Sequence, residues 1–127
     1  MEISSVSSKD LVNGREYYAF RLTLNGNYRL SIPLEQTHPQ KVVAKMIDDG
    51  PNYRIYQVDD EGKVTDKCVC HSWYIKDAEN GITWKNNYNW WVCDSYENAL
   101  LLREVLINKI INNLNLKIKF LTSLRNR

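Results

Sequence analysis

Glycine and histidine are scarce in this chain of 127 residues, and with them go the usual signatures of catalysis. The five glycines fall at turn positions, and none belongs to a glycine-rich loop that could cradle a phosphate. The two histidines, His38 and His71, stand apart from any serine or cysteine in a nucleophile signature. Carboxylates cluster only as Asp48-Asp49 and Asp59-Asp60-Glu61, at an expected helix end and a turn, where solvated charge is the ordinary role. These absences point to a protein that is not an enzyme and needs no cofactor.

Long apolar runs are also missing: the longest aliphatic stretch is residues 99–102, far short of a membrane span. The opening Met1-Glu2-Ile3-Ser4 lacks the basic and apolar segments of a secretory signal, so a cytoplasmic location and no membrane partner are expected. Three cysteines are too few for a disulfide framework, and an odd number fits free thiols in a reducing compartment. Acid disappears after Glu104 while Lys109, Lys117, Lys119, Arg125 and Arg127 continue, so the modest net charge of +2 hides a basic tail.

What remains is an ordinary globular composition, 43% hydrophobic and 25% charged, of a size that suits one domain over residues 1–127. Heavy use of Asn, Ile and Lys fits codon bias from an AT-rich genome and leans toward a phage or other mobile element.

The clearest pattern is residues 17–34. Tyr18, Phe20, Leu22 and Leu24 share one parity before Gly26, and Tyr28, Leu30, Ile32 and Leu34 share it afterwards. Strict alternation predicts an antiparallel hairpin with one apolar face. A two-residue Asn25-Gly26 turn would set apolar residues against polar ones, so a three-residue loop through Asn27 is expected, pairing Leu22 with Leu30 and Tyr18 with Leu34. Before it, residues 1–13 are polar and are expected to be flexible or to supply a short edge strand near Ile3 and Val6.

After the hairpin, Thr37 as cap, Pro39 in a first turn and a stripe of Val42, Val43, Met46 and Ile47 predict a helix over 37–49, stopped by Gly50-Pro51. A second hairpin comes next, with strands near 53–58 and 64–75 and a loop Asp60-Glu61-Gly62 that pairs Val58 with Val64 and Tyr53 with Val69. On its second strand Val69, Trp73 and Ile75 read as the core face, with Cys68, Cys70 and Tyr74 opposite. Asn80-Gly81 marks a further turn between strands near 82–85 and 88–93; Tyr88, Trp90 and Val92 line one side and Trp91 the other. Asp94 as cap and Glu97 open the main helix, whose broad apolar face is Ala99, Leu102, Leu106 and Ile110 with Leu101 and Val105, and Asn112-Asn113 is a stop. Residues 114–127 form a basic C-terminal strand or a helix extension: Leu114, Leu116, Ile118 and Phe120 alternate, which favours the strand, although Leu114, Ile118 and Leu121 also fit helical spacing.

The expected fold class is therefore α+β: a mostly antiparallel sheet of about five to seven strands, in the order ββαββββα, with two helices packed on one face. For function, four Trp and eight Tyr beside so little catalytic chemistry suggest a small protein-binding module, an inhibitor or adaptor, with a homodimer as the simplest case. Its expected contact residues are Tyr74, Trp84, Lys85, Trp91, Arg21 and Arg29, on the sheet face left open by the helices. The alternative is nucleic-acid binding through Lys109, Lys117, Lys119, Arg125 and Arg127 together with the aromatic hairpin. A zinc or redox site at Cys68, Cys70 and Cys93 is a second alternative. It fits poorly, because Cys68 and Cys70 lack the Cys-x-x-Cys spacing of a tight metal-binding turn.

Overall fold

The computed structural model describes residues 4–22, 34–75 and 90–126. Within them lies a five-stranded antiparallel sheet of β1 (Glu16–Arg21), β2 (Gln40–Met46), β3 (Tyr53–Val58), β4 (Val64–His71) and β5 (Trp90–Cys93), leading into one helix, α1 (Tyr96–Arg125). The strands lie in the order β4-β3-β2-β1-β5. The α+β class and the antiparallel sheet are as expected from the sequence, whereas the described residues hold one α-helix and not two.

In the segment predicted as a helix over 37–49, Gln40–Met46 forms strand β2. Val42 and Val43 are β-branched and stiff about χ1, which favours the pleated backbone. Their adjacency satisfies a helical stripe, but it equally suits a central strand buried on both faces: Val42 and Ala44 enter one core, and Val43 is buried on the opposite side. Asp48, Asp49 and Gly50 then take positive φ in succession, and the turn closes with Gly50 N donating to Ile47 O at 2.9 Å. Asp tolerates that region better than most residues, and Gly at no steric cost.

β1 keeps the expected parity, for Phe20 and Leu22 are buried and Tyr18 half-buried on one side. Its neighbours differ from the expected hairpin: Tyr18 lies opposite Lys41 on β2 and Cys93 on β5, and Leu34 belongs to a short 3₁₀ turn, Leu34–Thr37. The hairpin's tip and most of its second strand lie outside the described residues, as does the turn at Asn80-Gly81. Tyr17 and Ala19, on the other parity, are buried too, so β1 is apolar on both faces.

The β3–β4 hairpin forms as predicted at its tip. Val58 opposes Val64, Gly62 takes φ +85, and Asp59 N donates to Lys63 O. Asp59 Oδ1 accepts from Glu61 N and Lys63 N, fixing the loop. Two irregularities further along β4 shift the register, so that Ile55 faces Cys70 and Arg54 faces His71. The first shift adds two residues to β4 relative to β3 and the second adds one, and an odd total turns the side chains beyond them toward the opposite face. Cys70 therefore points into the core and Trp73 into water, the reverse of the alternation expected from sequence, while Ile75 is buried as expected.

Two cores result, one on each side of the sheet. The first gathers Tyr17, Ala19, Val42, Ile55, Cys70, Trp90 and Val92, covered by Leu11 and by Val6, Tyr74 and Ile75. The sheet face opposite the helix is thus not open, as expected from the sequence, but closed by the N-terminal segment and the Ser72–Tyr74 turn. Val6 N donates to Val92 O, which makes the N-terminal segment an edge companion of β5. Ser4 is held by Asn98, whose side-chain amide donates to Ser4 O at 2.8 Å. The second core packs Phe20, Leu22, Trp91 and Cys93 under Ala99, Leu102, Leu106 and Ile110 of α1.

Candidate functional site

The cap of α1 is Ser95, not Asp94: Ser95 Oγ accepts from Asn98 N at 3.1 Å, and Asp94 pairs instead with Arg15 at 3.1 Å, both in solvent. Its buried apolar residues recur three and four apart and end at Ile110, whereas Leu101 of the expected face is exposed and Val105 half-buried, since the buried stripe is narrower than expected. Arg103 Nε donates to Thr37 O at 2.6 Å and ties the helix to the Leu34–Thr37 turn.

Beyond Ile110 the helix continues past the expected stop at Asn112-Asn113 and past the expected strand, to Arg125. Extending an existing helix needs no new nucleus, whereas a strand needs a partner ladder. Residues 111–125 reach about 22 Å beyond the last buried turn at 1.5 Å per residue. All are exposed except the half-buried Leu114. Ile111, Leu116, Ile118, Phe120, Leu121 and Leu124 are among them, with Ile118 59% and Leu121 61% exposed. A helix of this length is marginal in water by itself, and Asn112, Asn113, Asn115 and Thr122 are weak helix formers.

The apolar residues are ordered. Ile107, Ile111, Leu114, Ile118 and Leu121 are spaced four, three, four and three apart, which is a heptad seam. In that register Ile111 and Ile118 take the a positions, and Leu114 and Leu121 take d. Ile107 and Leu114 are half-buried against the near end of the second core, so the seam runs on from the packed part of the helix. Leu116 and Phe120 point away from it, at f and c.

The residues expected at a partner surface are scattered. Trp91 is 0% exposed, stacked on Phe20 with ring centroids 5.8 Å apart, and is core, not surface. Its Nε1 has no acceptor among the described residues. Tyr74 is half-buried against the first core, and Arg21 is half-buried, donating through Nη1 to Gln36 Oε1 at 3.2 Å. Arg29, Trp84 and Lys85 lie outside the described residues. Lys109, Lys117, Lys119 and Arg125 are exposed along α1, and Arg127 lies outside the described residues.

The cysteines do not converge. Cys70 belongs to the first core and Cys93 to the second, on opposite faces of the sheet, and Cys68 Sγ donates to Cys70 O at 3.3 Å. Among the described residues no three His, Cys, Asp or Glu side chains are grouped to hold a metal ion. Burial pushes the Cys93 thiol up to about 12, with the Asp94 carboxylate acting in the same direction. Burial raises the Cys70 thiol as well, Cys68 adding to the rise and Arg21 opposing it. Both stay protonated near neutral pH, which suits packing and disfavours the thiolate that metal binding or exchange requires.

No family model matches the chain, and no curated protein or solved structure proves similar to it. Among the described residues, no helix is long and apolar enough to cross a membrane. The reading of function therefore rests on the exposed half of α1. Inspection of the sequence misses it because strand-like alternation and helical spacing coexist there; the signal that finds it is the seam from Ile107 to Leu121 taken as a whole.

Proposed function

We propose that this protein is a non-catalytic protein-binding module, and that its contact surface is the exposed seam of α1. The observation that carries the reading is a solvent-exposed helix whose large apolar residues keep heptad spacing after the protein's own core has ended. Contiguous apolar surface of this kind marks an interaction site.

The partner that fits most simply is a second copy of the chain. β-Branched Ile at a with Leu at d favours two parallel strands, and this is the pattern of Ile111, Leu114, Ile118 and Leu121. The flanking e positions are Asn108, Asn115 and Thr122, so two copies meet without like charges across the seam at those sites. Leu116 and Phe120 stay in water in such a pair. An inhibitor or adaptor role, and an origin in a mobile element, rest on composition alone.

Sedimentation velocity across a protein concentration series tests this. The wild type is expected to shift from monomer toward dimer, and Ile118→Asp to stay monomeric with unchanged near-ultraviolet circular dichroism. Each seam side chain counts twice in a symmetric pair. At about 1 kcal/mol for reburying a half-exposed aliphatic group, even Ile118→Ala weakens association by roughly thirtyfold. A wild type that remains monomeric throughout, and retains no protein partner from its host, contradicts the proposal.

A further inference from the structure

We propose that the outer face of β2, β3 and β4 binds single-stranded nucleic acid, with Lys45, Arg54 and His71 meeting phosphates and Trp73 stacking on a base. The site shares no residue with the seam of α1.

The register builds it. Lys45 on β2 lies directly opposite Arg54 on β3, and Arg54 lies directly opposite His71 on β4. Residues directly opposite one another project from the same face, so three basic side chains from three strands form one row across the sheet. Their neighbours in sequence, Ala44, Ile55 and Cys70, fill the first core, which fixes the row on the other side. α1 packs over β1 and β5 on that side, and the row lies beyond it. Lys45 and Arg54 are exposed, and among the described residues neither forms an ion pair. The nearest acid on β1, Glu16, is engaged by Lys41 at 3.4 Å. Like charges set directly opposite are unfavourable, so nothing in the folding of the sheet calls for this row.

The bulges in β4 complete the site by carrying Trp73 out of the core. Its indole is 54% exposed and lies on the His71 imidazole, centroids 4.4 Å apart and planes 20° from parallel. Tyr74 braces both rings edge-on, at 6.3 Å from His71 and 5.8 Å from Trp73. One face of the indole is thereby covered, while the residue as a whole stays 54% exposed. At the other end of the row, Lys45 Nζ sits 5.7 Å over the Tyr56 ring. Cations that track a backbone beside an exposed aromatic ring are how proteins hold unpaired strands, since every base offers a π face. An acidic peptide has charge to match the row and nothing to match the indole. A duplex keeps its bases stacked away from it. The row presents no arrangement for reading base edges, so binding is expected to be sequence-tolerant.

Fluorescence anisotropy with labelled oligo(dT) and oligo(rU), in parallel with tryptophan quenching, tests the proposal over a salt series from about 50 to 300 mM, where phosphate contacts register as a slope. Binding is expected at the low end, with quenching. Lys45→Glu with Arg54→Glu should weaken it at least tenfold and reduce the salt slope by about 1.4, the value for two phosphate contacts on a single strand. Trp73→Ala should weaken it by roughly tenfold and abolish quenching, while Trp73→Phe restores most of the affinity. Lys117→Glu with Lys119→Glu on α1 should leave it unchanged. All of these positions are exposed, and circular dichroism verifies that each variant is folded. The proposal is overturned by absence of binding at low salt, by binding that survives the sheet variants, or by loss only on changing the helix lysines. It is equally overturned if poly-glutamate competes as well as the oligonucleotides do and Trp73→Ala has no effect, which would identify an acidic protein ligand instead.

Discussion

The two halves of α1 are one continuous helix of 30 residues in two different situations. Through Ile110, a stripe of Ala99, Leu102, Leu106 and Ile110 is buried against Phe20, Trp91 and Cys93. After Ile110 the side chains are equally apolar, and solvent takes the place of the sheet. The first half gains its helicity from tertiary packing; the second has no such source within the described residues. Composition alone does not separate the buried stripe from the exposed one in this chain. What separates them is whether the sheet lies opposite.

Mutation separates the two halves of the helix. Leu106 is fully buried, and Leu106→Ala should cost about 2–5 kcal/mol of unfolding free energy in a urea titration of the monomer. Ile118→Ala in the same assay should cost under about 0.5 kcal/mol and act on association alone. Similar losses at both positions would show that the distal half is packed like the proximal one.

A smaller effect comes from pH. Cys93 lies under the proximal half, and its thiol is raised from about 9 to about 12. Between those values the folded state retains a proton that the unfolded chain has released. The stabilisation is thus complete below pH 9 and is lost as pH rises toward 12, with a limiting slope of about 1.4 kcal/mol per pH unit. The stability difference between wild type and Cys93→Ala should shrink at that rate above pH 9. A difference that stays constant from pH 8 to 11 would place the thiol in water.

Much of this architecture can be read from local pattern, and the failures have physical causes. Gly62 and the Val58–Val64 pair are legible because a short loop of defined handedness fixes its own register. The inward parity of Tyr18, Phe20 and Leu22 is legible, but not the burial of Tyr17 and Ala19, because period-2 patterning reports one wet face and β1 has none. β2 reads as a helix for the same reason: a strand buried on both sides places Val42 beside Val43, and two adjacent apolar residues also satisfy a helical stripe. Parity sets Trp91 on the side opposite Trp90 and Val92, as the structure has it, yet the residue reads as surface because its cover, α1, comes later in the chain. The seam on α1 is visible as the spacing of Leu114, Ile118 and Leu121 and is lost to a competing alternation. The row Lys45, Arg54 and His71 has no sequence signal at all, since three strands and two register shifts bring it together.

In the proposed assembly a second molecule covers the distal half of α1. Amide hydrogen exchange at two protein concentrations, one well below and one well above the dimer midpoint, reads that cover residue by residue. Protection over residues 111–124 is expected to rise with concentration while that over residues 99–110 stays constant. Protection over 111–124 that is the same at both concentrations, whether high or absent, would rule out a second molecule as its cover.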